Sequence, residues 1–552
     1  MIRRVIQWTI LYTLLIGGAI VFSLPFAWMA ATSGKVDREL FTRELRFLPI
    51  TPAPAAKSPY LDTTFFRYVK GQYRQELEPG LERLARESKF IPPTDLAGPG
   101  AADEAYRQIA AGLYERLSRT LPQETWSAGP AAVLDAAAKQ VNADLVRQVF
   151  DEVGRRLLFG QVRVRSGQFQ ETEIGRSEPF ASRLENLTPD CATLVNWTDD
   201  HVDCASVNYD FTSRDRIVLT RTADLDFDAG AFQRVQLNIR PDDSWHELWL
   251  TVECGGQRYR AERAVPLANF AWQTVTWQLP GEDDHSTKIK SWVLLKPADD
   301  SGDCLKDPRK IKLTFELART SPAGAWWSKL TLNYRRVLDA MPLWRYLATS
   351  LFLVIANIVL TVFACSLVAY SFARLRWPGR DLCFVLMLAT MMIPGQVTMI
   401  PHFLIWKNLG FYNTLTPLWL PAALGNAFFI FLLRQFFKGI PRDLEDAARL
   451  DGCGFLRIYW HLMLPLVKPS LAAIAIFTFM GVWNDFMSAL IYVADQRLYP
   501  LAFGLYAFSV QVGNDPLLTM AGSMLMTVPV IVIFFFAQKY FIQGVTLTGI
   551  KG

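Results

Sequence analysis

The sequence predicts an α-helical integral membrane protein with six transmembrane helices and, between the first and second, an inserted extracytoplasmic region of helices followed by a jelly-roll-like β-sandwich. Three observations carry this expectation. Six apolar stretches are almost free of charge, a long polar stretch separates the first from the other five, and Lys and Arg gather in alternate short loops. The 552 residues are 51% hydrophobic and 13% aromatic, yet 20% are charged. Such a mixture implies segregated parts, and the length allows two or three domains.

The apolar stretches are 6–31, 346–372, 382–405, 414–433, 471–494 and 516–538, and together they contain no Lys, Arg or Glu and a single Asp. Each reaches or approaches the roughly 20 residues that cross a bilayer as a helix. With the N-terminus inside, Arg3, Arg4, Arg374, Arg376, Arg380, Arg434, Lys438, Arg442, Arg449, Arg457, Lys468, Lys539 and Lys551 are cytoplasmic, against Lys407 and Arg497 in the short loops outside. The positive-inside rule therefore predicts both termini inside and the polar insert outside. The first apolar run is longer than the roughly 7–15 residues of a signal-peptide core. It is expected to stay as an anchor, since cleavage near Ala30-Ala31 would leave five spans.

The insert divides by texture. Residues 36–160 read as mainly helical: 75–86 with a break at Pro79-Gly80, then 103–121 and 131–158 with apolar residues every three or four positions. Residues 161–330 read as short strands. Val235, Leu237 and Ile239 alternate with polar partners, as do Leu248, Leu250 and Val252, and then Val275, Trp277 and Leu279. This strand texture resembles jelly-roll domains that bind carbohydrate, so Trp245, Trp249, Trp272 and Trp277 are either core residues or platforms for sugar rings. Four of the seven cysteines, Cys191, Cys204, Cys254 and Cys304, lie in this outer part, where disulfides persist. Four cysteines allow three pairings; Cys191/Cys204, the nearest in sequence, is the first candidate. No zinc-like spacing occurs, and no metal site is predicted.

The segment 439–469 holds the most distinctive motif of the chain. It reads Gly439-Ile-Pro-Arg-Asp-Leu-Glu-Asp-Ala-Ala-Arg-Leu-Asp-Gly-Cys-Gly-Phe-Leu-Arg-Ile-Tyr-Trp-His-Leu-Met-Leu-Pro-Leu-Val-Lys-Pro, a helix, a glycine turn and a second helix. Pro441 suits a first turn, and Asp443, Glu445 and Asp446 favour the positive end of the helix dipole. Ala447 and Ala448 give the first helix a slim face, Asp451 and Gly452 lead into the reversal, and Phe455, Ile458, Tyr459, Leu462 and Met463 are expected on one face of the second helix, stopped by Pro465 and Pro469.

This segment closely resembles the coupling loop of binding-protein-dependent ABC permeases. There the pattern is Glu-Ala-Ala, Gly after three residues, and Ile-x-Leu-Pro after nine more; Asp446, Ala447, Ala448, Gly452, Leu462, Leu464 and Pro465 match it here, with Asp446 for Glu and Leu462 for Ile. The resemblance extends over the first span and 331–552, through Met392-Ile-Pro-Gly-Gln-Val, Gly481-Val-Trp-Asn-Asp-Phe and Asn333-Tyr334, to the carbohydrate-type permeases of the maltose and glycerol-phosphate systems. It implies the ABC importer permease fold, a loop seated in a cleft of a separate ATPase subunit that uses ATP and Mg, a second homologous permease, and an extracytoplasmic solute-binding protein. Domains of 1–35, 36–160, 161–330 and 331–552 follow, the third and second being an insertion that the family does not explain.

Polar groups within spans are costly unless partnered. Gln396, Asn426, Trp483, Asn484 and Asp485 are the candidates for a substrate pathway, or else braces between helices. Pro394, Gly395 and Pro401 are expected to kink the third span. No phosphate-binding loop is present, because Gly34-Lys35 is followed by Val36, so no catalytic residue is assigned and no nucleic acid is expected as a partner. A membrane-anchored glycan-processing enzyme and a proton-coupled transporter are the alternative readings, the latter resting on Asp485 alone.

Overall fold

The computed structural model describes residues 2–40, 47–67, 69, 71–98, 100–168, 170–174, 186–187, 192–199, 202–281, 292–298, 304–511, 513 and 515–545. The chain forms two compact units: Met1–Gly34 with Leu332–Gly552, and Lys35–Ser286 with Ser291–Thr331.

In the first unit, Ile6–Ser33, Leu343–Arg374, Thr416–Gly439 and Pro516–Phe536 are helical segments long and apolar enough to cross a membrane. Their outward faces are apolar: Leu14, Phe22, Ile355, Val359 and Phe535 are all exposed, a distribution that suits hydrocarbon as solvent and not water. Leu343–Arg374 lies centrally and packs against Ala427–Gly439 and Lys468–Trp483. One core gathers Cys365, Tyr370, Phe437, Tyr459 and Met463, another Tyr346, Phe479, Trp483 and Phe508. Asn333 and Tyr334 tie the end of the first span: Asn333 Nδ2 donates to the Ser33 carbonyl at 2.8 Å, and the Ser33 and Tyr334 hydroxyls lie 2.7 Å apart.

Two expected spans are not single helices. The stretch 382–405 is broken, not merely kinked, into Arg380–Thr390 and Gly395–Asn408 at 99°. Pro394 has no N–H to continue the ladder, and Met391 and Met392 instead close tight turns on Leu388 and Ala389. These helices are about 16 and 21 Å long, each short of the roughly 30 Å hydrocarbon core. The stretch 471–494 divides into Lys468–Trp483 and Met487–Tyr492. Phe455–Leu466 precedes it at a bend of 78°.

The second unit begins with helices Arg74–Glu87, Ala101–Thr120, Pro130–Gln140 and Ala143–Val153. The helix expected to break at Pro79-Gly80 runs through both; a Cβ on Gly80 would meet Leu134 Cδ2 at 2.6 Å, so the glycine admits the helix Pro130–Gln140. The helix expected over 131–158 stops at Gln140, restarts after the Asn142 cap, whose side chain accepts from the Leu145 N–H at 2.8 Å, and gives way to a strand at Leu157.

A large β region follows: β1 (Leu157–Ser166), β2 (Glu171–Ile174), β3 (Ala192–Asp199), β4 (Val202–Tyr209), β5 (Arg216–Asp224), β6 (Phe232–Arg240), β7 (Glu247–Cys254), β8 (Gln257–Ala261), β9 (Gln273–Gln278), β10 (Trp292–Pro297) and β11 (Lys310–Ala318). The hydrogen-bonded order is β5-β11-β7-β8-β10-β9-β6-β1-β4-β3. β10 is the corner, parallel to β9 through Trp292–Leu294 and antiparallel to β8 through Leu295–Pro297. The two halves of the sheet meet across one core, where Phe159 of β1 and Trp277 of β9 make edge contacts with Phe315 of β11. The alternating residues Val235, Leu237, Ile239, Leu248, Leu250 and Val252 are buried, as their spacing predicts. Trp245 and Trp277 belong to the core; Trp249 and Trp272 are only half-buried.

The expected disulfides need correction. Cys254 and Cys304 are buried free thiols, and burial pushes the Cys254 thiol up to about 12. Cys191 lies outside the described residues. Cys204 is in register with Trp197, five positions from Ala192, a strand length of about 16 Å, so the hairpin gives the Cys191/Cys204 pairing no support.

What joins the ends of this unit is a buried ionic network. Glu39, just after the first span, pairs with Lys329, 290 positions later, and both side chains are almost fully buried. Lys329 also donates to the Ile50 carbonyl at 2.6 Å. Burial lowers the Lys329 pKa, an effect that Glu39 partly opposes. Arg38 pairs with Asp243, and Arg155 with Asp62 at 3.0 Å. Beside them His246 is neutral, since its Nδ1 accepts from the Thr320 N–H at 3.1 Å and its Nε2 therefore donates to the Ala55 carbonyl at 2.7 Å. Removing one member of such a pair leaves a buried charge, at a cost of about 3–5 kcal/mol. Thermal unfolding of the detergent-solubilised protein is expected to show Lys329→Met losing stability by that order, with much of it recovered in Glu39→Gln/Lys329→Met. Equal melting of Lys329→Met and the unsubstituted protein would contradict the network's role.

Candidate coupling loop and membrane polar residues

The segment 439–469 folds as its composition requires. Pro441 precedes the helix Arg442–Leu450, whose first turn carries Asp443 and Glu445. After Asp451 the chain reverses at Gly452, with φ +80°, and the Gly452 and Cys453 N–H groups bond the Arg449 and Ala448 carbonyls at 2.9 and 3.0 Å. This left-handed position is where a residue with a Cβ is strained. The second helix starts at Phe455, widens to a π-helical turn at Tyr459–Met463 and ends at Leu466. It thus runs past Pro465, which occupies the first turn of its last short segment, where no N–H is needed.

The loop has an anchored side and a free side. Glu445 is buried, accepts from Arg449 at 2.8 Å, and faces Arg374 at the end of Leu343–Arg374 across 3.8 Å. Arg374 also donates to the Phe437 and Ile440 carbonyls. On the second helix Ile458, Tyr459 and Met463 are buried, with the Tyr459 hydroxyl 2.7 Å from Ser366 Oγ and the Tyr370 hydroxyl donating to the Phe455 carbonyl at 3.4 Å. Phe455, expected among the packed residues, is instead exposed. It joins Leu444, Leu450, Leu456 and Trp460 as large apolar side chains facing outward, Leu450 with 90% of its surface accessible. Asp446, Ala447, Asp451, Gly452 and Pro465 are exposed, Ala448 and Leu464 half-buried. The sequence sets Glu445 and Asp446 side by side as acidic residues near the start of the helix, but the helix turns the first inward and the second outward. Sequence reasoning missed Arg374 altogether, counting it only as a cytoplasmic charge.

The candidate pathway residues all lie at helix interruptions. Asn426 caps Ala427–Gly439, its side chain accepting from the Phe428 and Phe429 N–H groups at 3.0 and 3.3 Å, directly after Gly425 at φ +79°. Asn484 Nδ2 donates to the Met480 carbonyl at 2.8 Å, and Asp485 accepts from the Ser488 N–H at 3.0 Å. Asp485 thus has a backbone partner at the start of Met487–Tyr492. Gln396 is exposed in the first turn after the break at Pro394. Trp483 does not fit a pathway: it is buried, stacks on Phe479 and donates Nε1 to the Met526 carbonyl at 3.3 Å. The structure pairs none of Asn426, Asn484 and Asp485 with another; each bonds backbone within four positions of itself.

Residues 362–547 match the family described as binding-protein-dependent transport system inner membrane component. The arabinooligosaccharides transport system permease protein AraQ of Halalkalibacterium halodurans is 37% identical over 209 residues, covering 38% of this chain and 75% of the relative. The protein of the same name in Bacillus subtilis is 37% identical over 208 residues, covering 38% and 74%. The osmoprotective compounds uptake permease protein GgtD of a Synechocystis species is 32% identical over 221 residues, covering 40% and 74%. A crystal structure of a bacterial ABC transporter involved in the import of the acidic polysaccharide alginate aligns with 28% identity and a TM-score of 0.33, covering 38% of this chain and 79% of that one. With a coupling loop of matching sequence and a relative matched over most of its length, the chain belongs to the binding-protein-dependent inner-membrane components, the permease subunits of ABC importers.

Proposed function

We propose that the chain forms half of the translocation pathway of an ATP-driven importer of oligosaccharides. In this reading it crosses the inner membrane six times, each bent helix pair counting as one span, with both termini cytoplasmic. Residues 36–160 and the β-sandwich 161–330 stand on the outer side. A separate ATPase subunit, using ATP and Mg, docks on 439–469; a second homologous permease completes the pathway, and a solute-binding protein delivers substrate from outside. The names of the AraQ relatives support the substrate class.

One observation carries the coupling role. The loop is pinned to the spans by Glu445, Tyr459 and Met463, while Leu444, Asp446, Ala447, Leu450 and Phe455 remain uncovered. A rigidly attached element with an uncovered apolar face is what force transmission from a moving partner requires. Ala447 and Ala448 keep that face low, and Asp446 offers a carboxylate to a cation of the ATPase.

Two tests follow. Ala447→Arg changes only an exposed position, so it is expected to abolish co-purification of the ATPase subunit while leaving the melting temperature unchanged. Glu445→Gln removes the counter-charge of Arg374 and is expected to lower ATP-driven uptake about tenfold or more with the ATPase still bound. Normal uptake in both variants would refute the docking assignment. Orientation is tested by a thiol reagent that cannot cross membranes, in a chain freed of native cysteines: Ser127→Cys in intact cells is expected to react and Leu450→Cys is not. The reverse labelling would overturn the import reading.

A further inference from the structure

The outer unit carries a polar trough of about 330 Å³ on the exposed face of β1, β6 and β9, lined by Gln161, Arg163, Gln236, Asn238 and Thr274. From this trough we infer that the outer unit has its own saccharide-binding site, distinct from any pathway through the spans, and selective for neutral sugars.

The trough is a product of strand register. β6 alternates Val235, Leu237 and Ile239 into the core with Gln236 and Asn238 outward. Arg163 of β1 is in register with Gln236, and Thr274 and Thr276 of β9 with Asn238 and Gln236. An irregularity of β1 between Phe159 and Val162 puts Gln161 on the same outer face. The side chains are partly preset. Gln161 Nε2 donates to Glu173 at 2.8 Å, Arg163 pairs with Glu173 at 3.3 Å and reaches Gln161 Oε1 at 3.4 Å, and Gln236 Nε2 donates to Thr276 Oγ1 at 3.2 Å. Among the described residues, the Asn238 amide and Gln236 Oε1 have no partner, so donors and acceptors point into the trough side by side.

An aromatic ring lies near the lining residue Asn238. Trp272 is half-buried and directly precedes β9. The point where a Cβ on Gly160 would lie is 3.2 Å from Trp272 Cζ3 and 3.5 Å from Asn238 Cβ. The indole and the Asn238 side chain therefore lie close together, and a Cβ at 160 would press on the ring. A flat apolar ring beside planar amide and guanidinium groups matches a pyranose or furanose, which offers a C–H face to the ring and adjacent hydroxyls to the amides. The volume is at the lower end of small-molecule sites, about 300–1,000 Å³, enough for a short stretch of a saccharide. Charge decides between neutral and acidic chains. Arg163 is paired with Glu173 and its strand neighbour Arg165 with Glu171 at 3.4 Å, so a polyanion meets carboxylates as well as cations.

The test uses the full-length chain in lipid nanodiscs, without ATP, on an array of immobilised arabino-, xylo-, malto- and cello-hexaoses together with polyuronate chains. The expected result is saturable binding to at least one neutral hexaose. It should weaken about tenfold in Gln236→Ala/Asn238→Ala and similarly in Trp272→Ala, and stay unchanged in Trp249→Ala and in the docking variant Ala447→Arg. The double variant alters two outward-facing positions, and an unchanged melt verifies its fold. Absence of binding to every neutral hexaose, binding that survives the double variant, or binding to polyuronates alone would overturn the inference. None of these outcomes bears on coupling to the ATPase, which uptake measures separately.

Discussion

The functional half of this molecule depends on one buried contact, the Arg374 guanidinium against Glu445. A charge so fully removed from water is tolerated only with compensation, and Arg374 has it from one carboxylate and two main-chain carbonyls. The contact thus joins three places: the end of Leu343–Arg374, which holds the guanidinium, the end of Ala427–Gly439 with Ile440 beyond it, and the helix Arg442–Leu450. The contact thereby makes the coupling helix a continuation of the spans. The rest of the loop is arranged around it. With Glu445 fixed inward, the helical period turns Asp446, Ala447 and Leu450 outward, and Gly452 reverses the chain so that Tyr459 reaches Ser366.

A second constraint governs the spans themselves. Main-chain polar groups inside hydrocarbon need internal partners, so each interruption of a helix must be capped by something nearby. Asn426, Asn484 and Asp485 do this at two breaks. Their polarity is explained first by the backbone they satisfy.

How much of this was legible in the sequence depended on the range of the interaction. Periodicity and charge asymmetry are local, so the apolar helices, the alternating strands and the glycine reversal at Gly452 were readable directly. Contacts between distant positions were not. Arg374 looked like any other basic residue at a span end, and nothing near it in sequence announces Glu445. Glu39 and Lys329 are likewise separated by almost the whole insert. Trp483 was a candidate for pathway or brace alike, and nothing beside it in sequence announces its neighbours in space, Phe479 and Met526. The break at 391–394 was read too mildly, since Pro394 signals a lost hydrogen bond and not the angle that follows. In the second unit, the four tryptophans looked alike; only the fold separates the core rings Trp245 and Trp277 from the half-exposed Trp272.

The central claim is that the uncovered side of the loop 439–469 meets a moving ATPase. The most direct measurement is site-specific cross-linking in the assembled transporter, with single cysteines at Ala447 in this chain and along the facing cleft of the ATPase subunit. The account predicts a cross-link from Ala447→Cys whose yield changes between nucleotide-free and ATP-bound states. A fully active transporter in which that position cross-links to no part of the ATPase, in either state, would contradict it.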